Sequence, residues 1–249
     1  MTDSSQRPVA PHPPLDVYDH DAAARRGYVD RLFDTSARHY WWINSVMSFG
    51  SGVWYRRKAL ERAGIGTGME VLDVCMGSGQ VSRAALQQVG ASGRVIGLDA
   101  SLGMLAAARD HVQLPQIQAY VEHLPIADAS FDALTMGYAL RHVADLVGTF
   151  REYLRVLRPG GRVLIIEFAK PTRPTAAALL KLYLKHVVPG IARVAGRDAS
   201  RMMRYFWDTI DACVPPETIV GSLAAAGFTD PQRGGEFEVF AEYTATRPG

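Results

Sequence analysis

The strongest chemical signal in the chain is the run Val71-Leu72-Asp73-Val74-Cys75-Met76-Gly77-Ser78-Gly79, with Asp99 following twenty residues after Gly79. An apolar stretch ends in an acid, and a glycine turn then opens a helical pattern. Glycine is needed where a backbone must turn sharply and approach a ligand closely. A carboxylate at the end of the next strand, the position of Asp99, suits the two hydroxyls of a ribose. Two adenosine-type ligands compete for this pattern. A dinucleotide would set its pyrophosphate over the helix N-terminus and ask for G-x-G-x-x-G. Here the third glycine position is Ser82, and Asp73 would place negative charge beside the phosphates in a low-dielectric cleft. S-adenosylmethionine has no phosphate and carries a sulfonium and an ammonium. An acidic strand end complements it, directly or through water. The ordered set Asp73, Gly77, Gly79 and Asp99 therefore points to this cofactor rather than to NAD.

The elements that must position these residues follow from periodicity. Glu70–Val74, Arg94–Asp99, Ile117–Val121, Phe131–Gly137 and Arg162–Phe168 read as strands. Between them, Gln80–Val89, Leu102–His111 and Leu146–Leu157 read as helices. Strands separated by helical stretches of 10–15 residues imply right-handed crossovers and a doubly wound, mostly parallel α/β sheet. Asp132 reads as a strand-start cap, and Arg158-Pro159-Gly160-Gly161 as a turn that ends one helix and leads into strand five. Before the sheet, about 19–38 reads as a helix, Tyr40–Gly50 as an aromatic stretch, and a second helix runs through Arg62. After Pro171 the alternation breaks: Thr175–His186 and Arg201–Cys213 read as helices, and Pro215-Pro216 starts another that ends near Gly227. Thr229–Thr246 reads as one or two antiparallel strands on the sheet edge. The organisation expected is a disordered tail over residues 1–18 and one domain over 19–249, with helical cap segments at about 19–62 and 172–214.

Composition narrows the class. The 249 residues carry a net charge of +2 and are 48% hydrophobic and 21% charged, as in ordinary globular proteins. This balance makes no basic footprint for nucleic acid. Only two cysteines occur, Cys75 and Cys213, too few for a disulfide framework or a zinc site, which fits a reducing cytoplasm. No leader pattern and no apolar run of membrane-spanning length are expected, and no His/Asp/Glu spacing demands a metal. A peripheral membrane contact and a homodimer stay open.

These residues, together with others, resemble the class I methyltransferases and, within them, the quinone-ring C-methyltransferases of the UbiE/COQ5 group. The resemblance runs from about Phe33 to Gly227. It is carried by Tyr40 through Asn44 with Met47-Ser48-Phe49-Gly50, Val71–Gly79, Glu122 with Leu124-Pro125, Leu140-Arg141-His142-Val143, Arg155 through Gly161, and Glu167-Phe168-Ala169-Lys170-Pro171. It implies methyl transfer from S-adenosylmethionine to a ring carbon of a phenolic or quinol acceptor, aromatic or prenylated. The cofactor wall it implies comprises Asp73, Gly77, Ser78, Gly79, Asp99, Ala100, Met104, Glu122 and His123. The catalytic candidates are Arg141, as the cation that stabilises a phenolate, with Tyr183 and His186, the last read as either a base or a core histidine. Tyr40, Asn44, Tyr138 and Tyr205 are the acceptor-pocket candidates.

The chain also departs from the group's pattern. Met76 stands where glycine is usual and should reshape the methionine end of the pocket. Gln80 replaces an aspartate, Trp41 replaces the acid after the first tyrosine, and His142 replaces an asparagine. Tyr120 stands at the usual adenine-contacting acid or amide. All should cluster at the reaction centre. They keep in play a relative acting on another aromatic or polyprenyl acceptor and a cofactor-binding relative that no longer methylates; the other competing functions are an O- or N-methyltransferase of a specialised metabolite and a dehydrogenase.

Overall fold

A computed structural model of the chain describes residues 8–13, 15, 22–47, 50–193, 197–236 and 238–249. Ser48 and Phe49 of the aromatic stretch, and most of the expected tail, lie outside them.

The alternating segments form a seven-stranded sheet in the order β3-β2-β1-β4-β5-β7-β6. Its strands are β1 (Glu70–Val74), β2 (Arg94–Asp99), β3 (Gln116–Gln118), β4 (Phe131–Gly137), β5 (Leu157–Phe168), β6 (Thr229–Glu236) and β7 (Phe240–Thr246). β1 to β5 pair in parallel, and β7 is antiparallel to both β5 and β6. The connecting helices are α3 (Gln80–Val89), α4 (Leu102–Arg109) and α5 (Leu146–Val156), with α9 (Pro216–Ala226) leading into β6. The period of two along a strand divides the core. Val71, Ala133 and Leu164 face one layer, whereas Leu72, Leu134 and Val163 face the other. The second layer is closed by α5 and α9 through Phe150, Tyr153, Ile219 and Leu223.

The first layer lies under the cap. α1 (Ala22–Met47) and α2 (Gly52–Arg62) precede the sheet; α6 (Pro174–Leu182), a π-helical turn (Tyr183–Val187), α7 (Val188–Ala192) and α8 (Arg197–Asp211) follow β5. Their apolar side chains, among them Leu32, Tyr55, Leu184, Val188, Phe206 and Trp207, share one cluster with the sheet face.

Four expectations change. The aromatic stretch from Tyr40 continues α1 rather than standing apart, so α1 spans 26 residues. β3 is shorter than expected, and the expected turn at Arg158–Gly161 is the first part of β5. Leu157 pairs with Phe131 there, and a bulge between Phe131 and Ala133 absorbs the glycines. Part of the expected disordered tail is docked: Val9 N–H donates to Asp145, the Leu146 N–H donates to the Val9 carbonyl, and Pro11 accepts from Val214. Pro11 and His12 are buried. These backbone bonds and the burial of Val9 against the second layer offset the entropy that the composition alone would leave dominant.

Candidate active site

Strand order reverses between β1 and β4, the switch point where ligands bind in open α/β sheets. At this carboxyl edge Cys75 and Tyr138, each just past the end of its strand, adopt φ of 49° and 61°. Non-glycine residues hold the left-handed region at a cost, and such strain concentrates at functional sites. A cavity of about 610 Å³ opens between them.

One half of the cavity is built from β1, β2 and the loops after them. Gly77 has φ of 55°, and a Cβ there would point toward the Tyr40 ring, 3.5 Å away. The carboxylate of Asp99 accepts from the Gly77 N–H at 2.8 Å and the Ser101 N–H at 2.9 Å. Each carboxylate oxygen can accept a second bond, so capacity for a diol remains. Burial is the main reason the Asp99 carboxyl rises to about 6, against backbone bonds that lower it. Ala100, Met104 and Glu122 complete this half.

α1 forms the roof and is fastened at several points. Tyr120 donates its hydroxyl to Asp30 at 2.8 Å. Asp34 accepts from the Ser101 hydroxyl at 2.5 Å and from the Gly103 N–H at 3.0 Å, which ties α1 to the start of α4. Gln80 donates to the Trp41 carbonyl at 3.1 Å. A Cβ at Gly103 would meet the Asp34 carbonyl oxygen at 2.9 Å, so only glycine permits this approach.

The other half is aromatic. Phe33, Tyr40, Tyr138 and His142 line it. His142 stacks on Tyr205, with centroids 5.5 Å apart, and Phe33 meets it edge-on at 5.3 Å. The His142 Nδ1 is 3.1 Å from the Tyr205 hydroxyl.

Several sequence candidates do not reach this cavity. Arg141 is fully buried behind it. Its Nη1 donates to Thr209 at 2.6 Å and the Phe206 carbonyl at 3.2 Å, its Nη2 to the Tyr138 carbonyl at 3.3 Å, and its Nε lies 3.1 Å from Glu167. A guanidinium that deep must be paired, and here the pairing turns it away from an acceptor. Tyr183 packs half-buried against the cap cluster, and His186 is exposed on the outer side of the π-helical turn, because the inner side carries Leu184. Tyr205 stands one layer back, behind His142. Asn44 hydrogen-bonds Tyr40 one helical turn away and does not line the cavity.

On the cofactor side, Asp73 is fully buried beneath the loop, where Ser82 donates to it at 2.5 Å and Thr135 at 2.7 Å. Its carboxyl is also pushed up to about 6, chiefly by burial. It braces β1, α3 and β4 rather than lining the cavity. Gly79, with φ of 86°, serves packing: a Cβ there would lie 2.5 Å from Val112. Ser78 is buried and His123 exposed, both outside the wall. The residues that do meet at the cavity are Gly77, Asp99, Ala100, Met104, Glu122, Tyr40 and Tyr138. Phe33, Asp30, Ser101 and Cys75 were missed; helical periodicity placed the first two on α1 without saying which side would face a ligand.

The departures also separate. Only Tyr120 and His142 line the cavity. Trp41 stacks on His111 with centroids 3.9 Å apart. Met76 points away from the pocket into a cluster with Leu105, Ala108 and Val112, and a Cβ at Gly97 would come 2.1 Å from its sulfur. Met76 therefore fills a gap between β2 and α4 and does not reshape the methionine end. Met76→Ala is expected to lose about 2–3 kcal/mol of unfolding free energy in a denaturant titration, with cofactor affinity by calorimetry unchanged.

The residues present fit S-adenosylmethionine: a glycine whose missing side chain leaves the cavity open, a carboxylate with spare acceptor capacity for a ribose, and an acid, Glu122, beyond it. A switch-point cavity of this kind in a sheet of this order defines a class I S-adenosylmethionine-dependent methyltransferase. The ubiE/COQ5 methyltransferase family profile matches residues 21–235, and the chain belongs to that family. It is 33% identical over 211 residues to the ubiquinone/menaquinone biosynthesis C-methyltransferase UbiE of Idiomarina loihiensis, covering 82% of this chain and 84% of that one. It is 35% identical over 215 residues to a demethylmenaquinone methyltransferase of Mycobacterium sp. (strain JLS), covering 86% and 88%. A crystal structure of a SAM-dependent methyltransferase from Aquifex aeolicus shares the fold, with a TM-score of 0.62, 17% identity and coverage of 82% and 96%.

Proposed function

We propose that this enzyme transfers the methyl group of S-adenosylmethionine to a ring carbon of a phenol or quinol that carries an apolar tail. One observation carries the reading. The Asp99–Gly77 half and the aromatic half belong to one continuous cavity, so a methyl donor and a flat apolar ring fit side by side under α1. The family relatives act in quinone biosynthesis, which supports the same choice.

When bound, S-adenosylmethionine supplies a methyl group already activated by a positive sulfonium. The chain's own work is then to hold, orient and deprotonate. Asp99 accepts the ribose hydroxyls while its two backbone bonds keep it aimed. The Gly77 turn lets the backbone come close, and the negative charge of Glu122 favours a cationic ligand in the cavity. Tyr40, Tyr138 and Phe33 bound the ring and exclude water, which leaves the reacting carbon little freedom. His142 takes the proton from the acceptor hydroxyl, raising electron density on the adjacent ring carbon. The tautomer that donates Nδ1–H to Tyr205 leaves Nε2 as the basic nitrogen. Arg141 supports this from behind, joining the end of β4 to α8 and to Glu167. Asn44 orients Tyr40. We assign Asp73, Ser78 and Gly79 to shaping the cofactor loop from beneath. A reducing cytoplasm is the compartment this reading adopts, supported by two unpaired cysteines. Among the described residues no helix is long and apolar enough to cross a membrane.

The deciding experiment incubates the enzyme with methyl-labelled S-adenosylmethionine and a ring-demethylated quinol. Label on the ring carbon is expected; label on a phenol oxygen, or none, overturns the reading. A pH dependence follows as well. Asp99 titrates near 6 rather than 3.8 in the folded protein. As its folded value is raised, its protonated form favours folding: that contribution is complete below the unfolded value and is lost as pH rises through 6. Cofactor binding has the opposite sign, because the ionised form accepts both ribose hydroxyls. Affinity by calorimetry should therefore fall as pH drops through about 6. Asp99→Asn should weaken cofactor binding roughly 10- to 100-fold and flatten that pH dependence.

A further inference from the structure

The stretch from Thr172 to Arg193 contains no Asp or Glu. It forms α6, the π-helical turn and α7 in unbroken succession. Leu180, Leu184, Val188 and Ala192 are buried on its inner side, in the cluster that also holds Tyr40, Tyr138, Tyr205 and Phe206. Leu179, Leu182, Val187 and Ile191 are 67%, 56%, 42% and 42% exposed. The spacing of this outer set is three, five and four. In a plain α-helix a gap of five turns the side chain far off the stripe, but a π turn holds about 4.4 residues and brings Leu182 and Val187 back into line. The extra residue therefore keeps an outer apolar stripe and an inner one in register together.

Beside that outer stripe stand Lys181, Lys185 and Arg193, with His186. Among the described residues Lys181, Lys185 and Arg193 have no ion-pair partner, whereas Arg173 at the start of α6 is held by Glu238. An exposed apolar stripe flanked only by cations is the pattern of a helix that lies in a membrane interface. The cations suit anionic headgroups and their stems reach along the apolar boundary.

We propose that α6, the π turn and α7 dock the enzyme on an anionic lipid surface, with Leu179, Leu182, Val187 and Ile191 entering the interface. A second copy of the chain fits the surface less well, because the cations would face one another across a two-fold contact. The docking gives the apolar-tailed acceptor of the proposed function a short route: the inner side of the same helix packs in the cluster that walls the cavity. That purpose rests on the proposed acceptor, but the docking itself is measured without any acceptor.

The test is co-sedimentation of the full-length protein with vesicles of phosphatidylcholine alone and with about one-third phosphatidylglycerol. Binding is expected to the anionic vesicles and to weaken with added salt. Leu182→Ser/Val187→Ser should lower the partition coefficient at least tenfold, and Lys181→Gln/Lys185→Gln several-fold with a shallower salt dependence. Because these side chains are largely on the outer surface, melting temperature and cofactor affinity serve as folding controls and should hold. Absence of binding to anionic vesicles overturns the proposal, as does binding that the variants leave unchanged. So does a dimer in light scattering that the same variants dissociate while vesicle binding is missing. Quinol methylation in detergent micelles reports separately on the acceptor, so the two readings fail independently.

Discussion

His142→Phe is expected to lower kcat by roughly 10²–10⁴-fold with little change in cofactor affinity. The argument rests on which groups the cavity exposes. Arg141, the cation that the family resemblance put forward, spends its donors on Thr209, Phe206 and Tyr138 and its charge on Glu167. The adjacent residue, His142, is the one on the wall. Phenylalanine keeps a ring against Tyr205 and Phe33 but can take no proton, so packing and basicity are separated in one change. His142→Ala should lose as much activity, and imidazole added to the buffer should restore part of it by entering the vacated space. Steady-state rates on the quinol, with cofactor binding measured by calorimetry, check this. Retention of rate within about threefold in the phenylalanine variant, well short of a general-base effect, would show that His142 only packs.

Glu167→Leu should cost about 3–5 kcal/mol of unfolding free energy, because it strands a buried guanidinium. Both side chains are 1% exposed, so solvent cannot replace the missing partner. Removing both charges, as Arg141→Met/Glu167→Leu, should recover much of the loss, since the desolvation penalty disappears along with the attraction. Denaturant titrations of the single and double variants give the coupling directly. The double variant is still expected to lose activity. Arg141 bonds the carbonyls of Tyr138 and Phe206, and through them sets the end of β4 against α8, where His142 meets Tyr205. A single variant that loses less than about 1 kcal/mol would mean that the pair is not the brace described.

Buried parallel strands are legible because both of their faces are covered, leaving short apolar runs between turn residues. β1, β2 and β4 begin and end where the residue pattern places them. β5 does not. Pro159, Gly160 and Gly161 read as a turn because local preference favours one, yet they bulge between the β4 pairings of Leu157 and Arg162 and are held by the end of the chain, where Arg247 bonds Gly160 and Gly161. Partners nearly ninety positions away leave no local trace. The docked residues 8–13 were hidden for the same reason, since their partners are Asp145, Leu146 and Val214.

Of the cofactor candidates, Gly77 and Asp99 were legible from residue types and do meet at the cavity, whereas Asp73, Ser78, Gly79 and His123 stand outside its wall. Gly77 lies in the loop after β1 and Asp99 ends the adjacent β2, one short crossover away, and left-handed backbone at a glycine is a local property. The identity of the chain as a family member was equally present in its motifs. The direction of each side chain was not. Whether Met76 faces the cofactor or α4 is decided by the space that Gly97 leaves. Arg141 stands behind the wall and His142 in it because Glu167 and Thr209 arrive from β5 and α8, distant in sequence. Residue order thus determines which elements form and which ligand their loops suit. Only packing between remote segments decides which of the candidate side chains touch that ligand, because a buried charge goes where its partner is.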